Sequence, residues 1–165
     1  MPLFNVVLVE PQIPNNTGNI GRTCVATGSA LHLVHPLAFD TSEKACRRAG
    51  LDYWPRLDVT EHRSWEAFLQ SSPAPVWLFT TKTTRPVFEA SLRPGDWLIF
   101  GNETQGLPQA TLDAFPDRLL TLPMLPGERS LNLATAVCTA LYEGVRQALA
   151  SGSARLDPQG RLRLG

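Results

Sequence analysis

Apolar residues along the chain fall into short β-branched runs separated by stretches of helical period. Residues 4–9, F-N-V-V-L-V, are almost continuously apolar, the pattern of a strand covered on both faces. Residues 31–34, 76–80 and 97–100 repeat it, and 118–122 form a fifth candidate strand. Pro11, Pro14, Asn15 and Asn16 mark a turn-rich loop. A helix is predicted over 18–27, capped by Asn16 or Thr17 and stopped by Gly28. A short helix carrying Ser42, Ala45 and Ala49 ends at Gly50, and another over 64–69 buries Trp65, Phe68 and Leu69. The longest helix runs over 130–150. Its apolar stripe is Leu131, Ala134, Cys138, Leu141, Val145 and Leu149, at steps of three or four. Residues 151–165, with their Gly, Ser and Arg, read as a mobile tail. Strands alternating with helices specify an α/β fold: one domain over 1–150, with a mostly parallel sheet flanked by helices. Ligands of such sheets sit beyond the carboxyl ends of the strands, here the loops after Phe79, Phe100 and Leu122.

Composition narrows this little. A chain of 165 residues suits one domain whose core needs no disulfide staples. No apolar run approaches the roughly 18 residues that span a bilayer. Met1-Pro2-Leu3-Phe4-Asn5 lacks the plan of a secretory signal, so a cytoplasmic protein without a membrane partner is expected. Cys24, Cys46 and Cys138 are odd in number and widely spaced, which reads as buried thiols. His32, His35 and His62 have no Cys or carboxylate at zinc spacing, so no metal is expected. Fifteen basic residues balance fifteen acidic ones, which argues against a nonspecific nucleic-acid coat. Lys44, Arg47 and Arg48 nevertheless share one side of a predicted helix, either a solvated face or an RNA contact.

Three segments carry candidate chemistry. N-N-T-G-N-I-G-R-T, residues 15–23, places free backbone N–H groups at a helix start, a seat for an anion that Arg22 can reach with a fork of donors. The plain alternative is a capped helix with a surface arginine. Neither the dinucleotide glycine fingerprint nor a Walker lysine is present, which disfavours a nucleotide-dependent oxidoreductase. In I-F-G-N-E-T-Q-G-L-P, residues 99–108, Gly101 directly after a strand allows backbone to approach a ligand. Glu103 either braces the turn or meets the ligand. In residues 122–142, L-P-M-L-P-G-E-R-S-L-N-L-A-T-A-V-C-T-A-L-Y, the prolines and Gly127 impose a shaped loop over 122–129. The helix after it carries a second stripe, Asn132, Thr135, Thr139, Tyr142 and Arg146, with Ser130 at its amino end. Hydroxyls, an amide and a tyrosine in place of Lys and Glu favour a protected interface or site over a wet face.

In this order, and with R-R-A-G-L-D-Y-W and F-T-T-K between them, these segments resemble the SPOUT superfamily of RNA methyltransferases. The likeness covers residues 3–150 and is greatest to the TrmL/YibK group, tRNA (cytidine/uridine) 2′-O-methyltransferases acting on the wobble nucleotide of the anticodon loop. The resemblance implies a C-terminal deep trefoil knot, a homodimer, tRNA as partner and S-adenosyl-L-methionine as methyl donor, leaving S-adenosyl-L-homocysteine. By position it places the donor against Phe79, Thr80, Thr81, Gly101, Glu103, Leu122, Met124, Ser130 and Leu131. Arg22, Ser130, Asn132 and Tyr142 are its catalytic candidates, and Asn16, Lys44, Arg47, Arg48 and Lys82 its RNA contacts. Thr83 and Asn102 depart from the pattern, where relatives often carry Gly and Pro. A SPOUT enzyme acting on another RNA or on a base, and a non-catalytic RNA-binding domain, are the alternatives.

Overall fold

The computed structural model describes residues 1–42, 46, 50–71 and 76–165. Its strands are β1 (Asn5–Val9), β2 (Ala30–Val34), β3 (Val59–His62), β4 (Val76–Phe79), β5 (Trp97–Phe100) and β6 (Leu119–Leu120). Its helices are α1 (Pro14–Thr27), α2 (Trp65–Ser71), α3 (Gln109–Ala114) and α4 (Leu133–Ala150). The strands form one sheet in the order β3-β2-β1-β5-β4-β6, and each neighbouring pair is parallel. β1 lies inside the sheet and is buried at every position, which explains its continuous apolar sequence.

Strand parity sorts the core. Val6 and Leu8 pack with Ile20 and Cys24 of α1 and Val137 and Leu141 of α4. Val7 and Val9 point the other way, to Phe68 of α2 and Leu112 of α3. Phe4 is fully buried, and its ring lies so near Gly144 of α4 that an added Cβ would come within 2.5 Å of it. Among the described residues no helix is long and apolar enough to cross a membrane.

Several local expectations shift. α1 begins at Pro14, not at residue 18, and neither Asn16 nor Thr17 caps it. Its N-cap is Ile13, which makes no side-chain cap bond. Gly28 ends it in the left-handed conformation, φ 68°. α4 begins at Leu133 with Asn132 as cap, whose side chain accepts from the Thr135 N–H, so Ser130 and Leu131 precede the helix. The buried face of α4 includes Val137, Leu141, Val145 and Ala148, while Leu131 is 42% exposed and stands outside the core stripe. β3 has no strong apolar signal, because it is an edge strand with two exposed positions. Residues 151–165 hold a hairpin, β7 (Ala154–Leu156) and β8 (Leu162–Leu164), where a tail was expected. Asp157 organises its turn by accepting from the Gln159 and Arg161 N–H groups, and Leu164 packs over Gly28. The basic trio Lys44, Arg47 and Arg48 lies outside the described residues.

The histidines take no cation-binding arrangement among the described residues. His32 Nδ1 and His62 Nε2 are 3.1 Å apart, and His32 packs against Trp97 with ring centres 4.6 Å apart. Burial, reinforced by the His62 charge and opposed by Asp58, pushes the His32 pKa down to about 4. The folded chain therefore holds His32 neutral, and the unfolded chain binds its proton first. Stability should fall as pH drops from about 6.5 towards 4, by roughly 3 kcal/mol. Urea midpoints at pH 7 and pH 4.5 test this, and His32→Asn should reduce the difference. A wild-type midpoint that does not move would refute it.

Candidate active site

The loops that leave β4, β5 and β6 at their carboxyl ends enclose a cavity of about 340 Å³. Phe79, Thr80, Thr81, Gly101, Glu103, Leu122, Met124, Ser130 and Leu131 all line it. Segments up to 52 residues apart in sequence thus meet because parallel strands deliver their loops to the same edge of the sheet. Phe79 and Phe100 stack beneath it, with ring centres 4.5 Å apart.

The β6 end of the cavity is tightly interleaved. The Thr80 N–H donates to the Leu120 carbonyl at 2.9 Å. On the other side, the Thr121 N–H donates to the Arg85 carbonyl and the Val87 N–H to the Thr121 carbonyl, each at 2.9 Å. The strand therefore runs between β4 and the segment that follows β4.

Gly101 fixes the second loop. A Cβ there would lie 2.0 Å from the Gly106 carbonyl carbon and 2.2 Å from the Leu107 nitrogen. Main chain passes main chain at that point, and only glycine leaves room. Asn102 closes the turn from within: its Oδ1 accepts from the Gln105 N–H at 2.8 Å and the Thr104 N–H at 3.2 Å. An asparagine at this departure from the pattern thus brings its own turn-forming bonds. At the other departure, Thr83 Oγ1 accepts from the Arg85 N–H at 3.4 Å.

Glu103 stands at the cavity and braces the start of α1 rather than its own turn. It lines the cavity, and its carboxylate accepts from the N–H groups of Gln12 and Ile13 at 2.8 and 3.0 Å. This distant carboxylate supplies the cap that α1 lacks locally. Burial pushes its pKa up, but bonds from Gln12, Asn16 and Ile13 and its own backbone prevail and hold it below the usual carboxylate range. Glu103 also accepts from Asn16 Nδ2 at 3.1 Å, and Asn16 Oδ1 accepts from Asn132 Nδ2 at 3.0 Å. Glu103, Asn16 and Asn132 so tie the β5 loop, α1 and α4 together. Asn16 was expected to touch RNA. It is instead 6% exposed with both ends of its amide engaged inside the chain.

Glu103→Gln keeps the shape but puts an NH₂ where one of these donors points. It should cost about 1–3 kcal/mol, read as a lower thermal midpoint. An unchanged midpoint would show that the carboxylate does not hold these elements.

The single chain gathers Ser130 and Lys82 at the cavity and Asn132 beside it, but not Arg22 or Tyr142. Arg22 does not line the cavity. Its guanidinium lies 4.5 Å from the Tyr53 ring centre and 3.8 Å from Asp52 Oδ1. Tyr53 is itself anchored by its hydroxyl, which donates to the Gly18 carbonyl. Tyr142 is 52% exposed on α4. Lys82 lines the rim with its Nζ donating to Gln109 Oε1 at 3.2 Å. Arg129 also lines the cavity and was not foreseen; its place beside Ser130 was the available signal.

A parallel sheet with a ligand-sized cavity at its carboxyl edge, lined by three loops, defines the class of this protein as an α/β domain with a ligand site at the strand ends. The chain belongs to the SpoU rRNA Methylase family, whose model matches residues 3–142. It is similar to the tRNA (cytidine(34)-2′-O)-methyltransferase of Burkholderia pseudomallei, with 46% identity over 92% of this chain and 100% of that protein. The enzyme of the same name from Escherichia coli K12 is 46% identical over 88% of this chain and 94% of its own length. A solved structure concerned with 2-OH methylation of C/U34 on tRNA superimposes with a TM-score of 0.83 at 45% identity, covering 89% of this chain and 97% of that one. AviRb from Streptomyces viridochromogenes, solved with the cofactor AdoMet, gives 0.72 at 27% identity over 91% of this chain and 62% of that one.

Proposed function

We propose that this protein transfers a methyl group from S-adenosylmethionine to the ribose 2′-OH of the wobble cytidine or uridine in the tRNA anticodon loop. The observation that carries the reading is the convergence on one cavity of the positions that the resemblance assigns to the donor. The cavity fits such a donor. Gly101 leaves bare main chain in its wall, which suits a ligand held largely by backbone groups, and the Phe79–Phe100 stack gives an apolar floor. When bound, S-adenosylmethionine supplies a methyl already activated by its positive sulfur.

The protein's task is then alignment, exclusion of water and stabilisation of charge on the attacking oxygen. Ser130 at the cavity wall orients the hydroxyl. Asn132, held by Asn16, fixes the start of α4 beside it. Arg22 binds the adjacent phosphate and steadies developing negative charge, because a guanidinium stays protonated and makes a poor base.

The protein works as a homodimer in this reading. The exposed Ile13 at the start of α1 and Tyr142 on α4 support a covered face there, and Arg22 lying off its own chain's cavity supports a site shared between subunits. The knot is supported by the run of Leu119–Thr121 between β4 and Arg85–Val87. The test is transfer of labelled methyl groups into total tRNA, followed by nucleoside mapping. A 2′-O-methylated residue at position 34 is expected; label in a base or in ribosomal RNA alone overturns the assignment.

A further inference from the structure

We propose that Arg85 and Arg118 form a phosphate clamp for the substrate RNA, outside the methyl-transfer cavity, which rests on the reading of the protein as a tRNA methyltransferase. Both guanidinium groups lie over one indole: their central carbons are 5.2 and 5.0 Å from the ring centre of Trp77. The platform is rigid. Trp77 is 6% exposed, and its Nε1 donates to Asp96 Oδ2 at 3.0 Å. The same oxygen accepts from the Arg93 N–H at 2.9 Å, and Asp96 is itself buried.

The two arginines are not neutralised. Arg85 spends one Nη1 bond, 3.1 Å, on the Asp117 backbone carbonyl. Among the described residues, neither guanidinium has a carboxylate within ion-pair distance. Two like charges drawn to one ring repel each other, and a bound anion relieves that repulsion. Each guanidinium carries five N–H donors in a fork that suits phosphate, and Arg85 gives one of its own to the Asp117 carbonyl.

Position favours RNA over a free anion. The Arg85 carbonyl accepts from the N–H of Thr121, which lines the cavity, and Lys82, three residues before Arg85, lines it too. The main chain that carries Arg85 therefore adjoins the wall of the site, while the two guanidinium groups lie over Trp77, two residues before the end of β4. An RNA strand that crosses this edge of the sheet to bring a ribose to the cavity would pass its phosphates over the pair.

The test is binding of an unmodified tRNA transcript across a salt series, with methyl-donor affinity measured in parallel. R85Q/R118Q is compared with the charge-matched R155Q/R161Q on the C-terminal hairpin. The clamp variant should bind tRNA at least about tenfold more weakly at low salt, flatten the slope of log affinity against log salt by about 1–2, and bind the donor as wild type does. An unchanged slope, or equal flattening by the hairpin variant, overturns the clamp. Should the Gln variant lose the donor as well, R85K/R118K decides. It keeps the charge but not the fork, and is expected to keep the slope with several-fold weaker binding; wild-type affinity there overturns the proposal. A wild-type protein that binds no tRNA overturns the methyltransferase reading and the clamp together. A wild type that methylates tRNA, with a clamp variant that binds tRNA indistinguishably, overturns the clamp alone.

Discussion

Arg22→Ala is expected to lower methyl transfer to tRNA by about 10²–10³-fold, the scale seen when one preorganised donor to a developing oxyanion is removed, while leaving methyl-donor affinity unchanged. The side chain stands away from the donor cavity, so its loss takes no contact from the donor. Its local partners are weak. The pair with Asp52 is 3.8 Å long, with side chains 63% and 82% exposed, and such a pair adds little stability. The fold should survive, and the loss should fall on the transfer step and on RNA. Mixing then tells whether Arg22 serves its own chain or a partner. In a heterodimer of Arg22→Ala with a chain whose donor cavity is closed, a shared site is rebuilt once, from the intact cavity of the first and the intact arginine of the second. Activity returns on mixing if the site is shared and stays absent if it is not. Wild-type turnover by Arg22→Ala alone would remove Arg22 from the mechanism.

What the sequence disclosed followed the range of the interactions involved. The buried strands were legible because a strand covered on both faces must be apolar at nearly every position, as β1 and β5 are. Gly28 was legible because a left-handed helix stop is a local requirement. The start of α1 was not, because its cap comes from Glu103, some 90 residues away, and no local pattern announces it. The face of α4 was misjudged for a similar reason. Leu131 follows the helical spacing, but Asn132 caps the helix after it, so Leu131 turns to the cavity instead of the core. β3 escaped notice because an edge strand needs only modest apolar content. The three cavity loops were legible as the carboxyl ends of buried strands; that Asn16 and Glu103 brace them from within was a property of the folded contacts.

Gly101→Ala is expected to abolish methyl-donor binding, a loss of more than about 100-fold, and with it methyl transfer. An added Cβ would sit 2.0 to 2.3 Å from the carbonyl group of Gly106 and the nitrogen of Leu107. These are main-chain atoms of the same loop and cannot rotate aside as a flexible side chain would. Relief requires the 101–107 loop to open, and that loop carries Glu103. Its movement would loosen the bonds to Gln12 and Ile13 and the link through Asn16 to Asn132, so the thermal midpoint should fall as well. Overpacking of this kind costs typically about 1–3 kcal/mol, more where backbone is the obstacle. Gly127→Ala supplies the contrast within the same site region. Gly127 has φ 97° but nothing within 4 Å of its would-be Cβ, so the change there strains only the local backbone, at about 1–2 kcal/mol. Calorimetric titration with S-adenosylmethionine should therefore show binding to Gly127→Ala and none to Gly101→Ala. Wild-type affinity in Gly101→Ala would mean that the donor does not occupy this cavity.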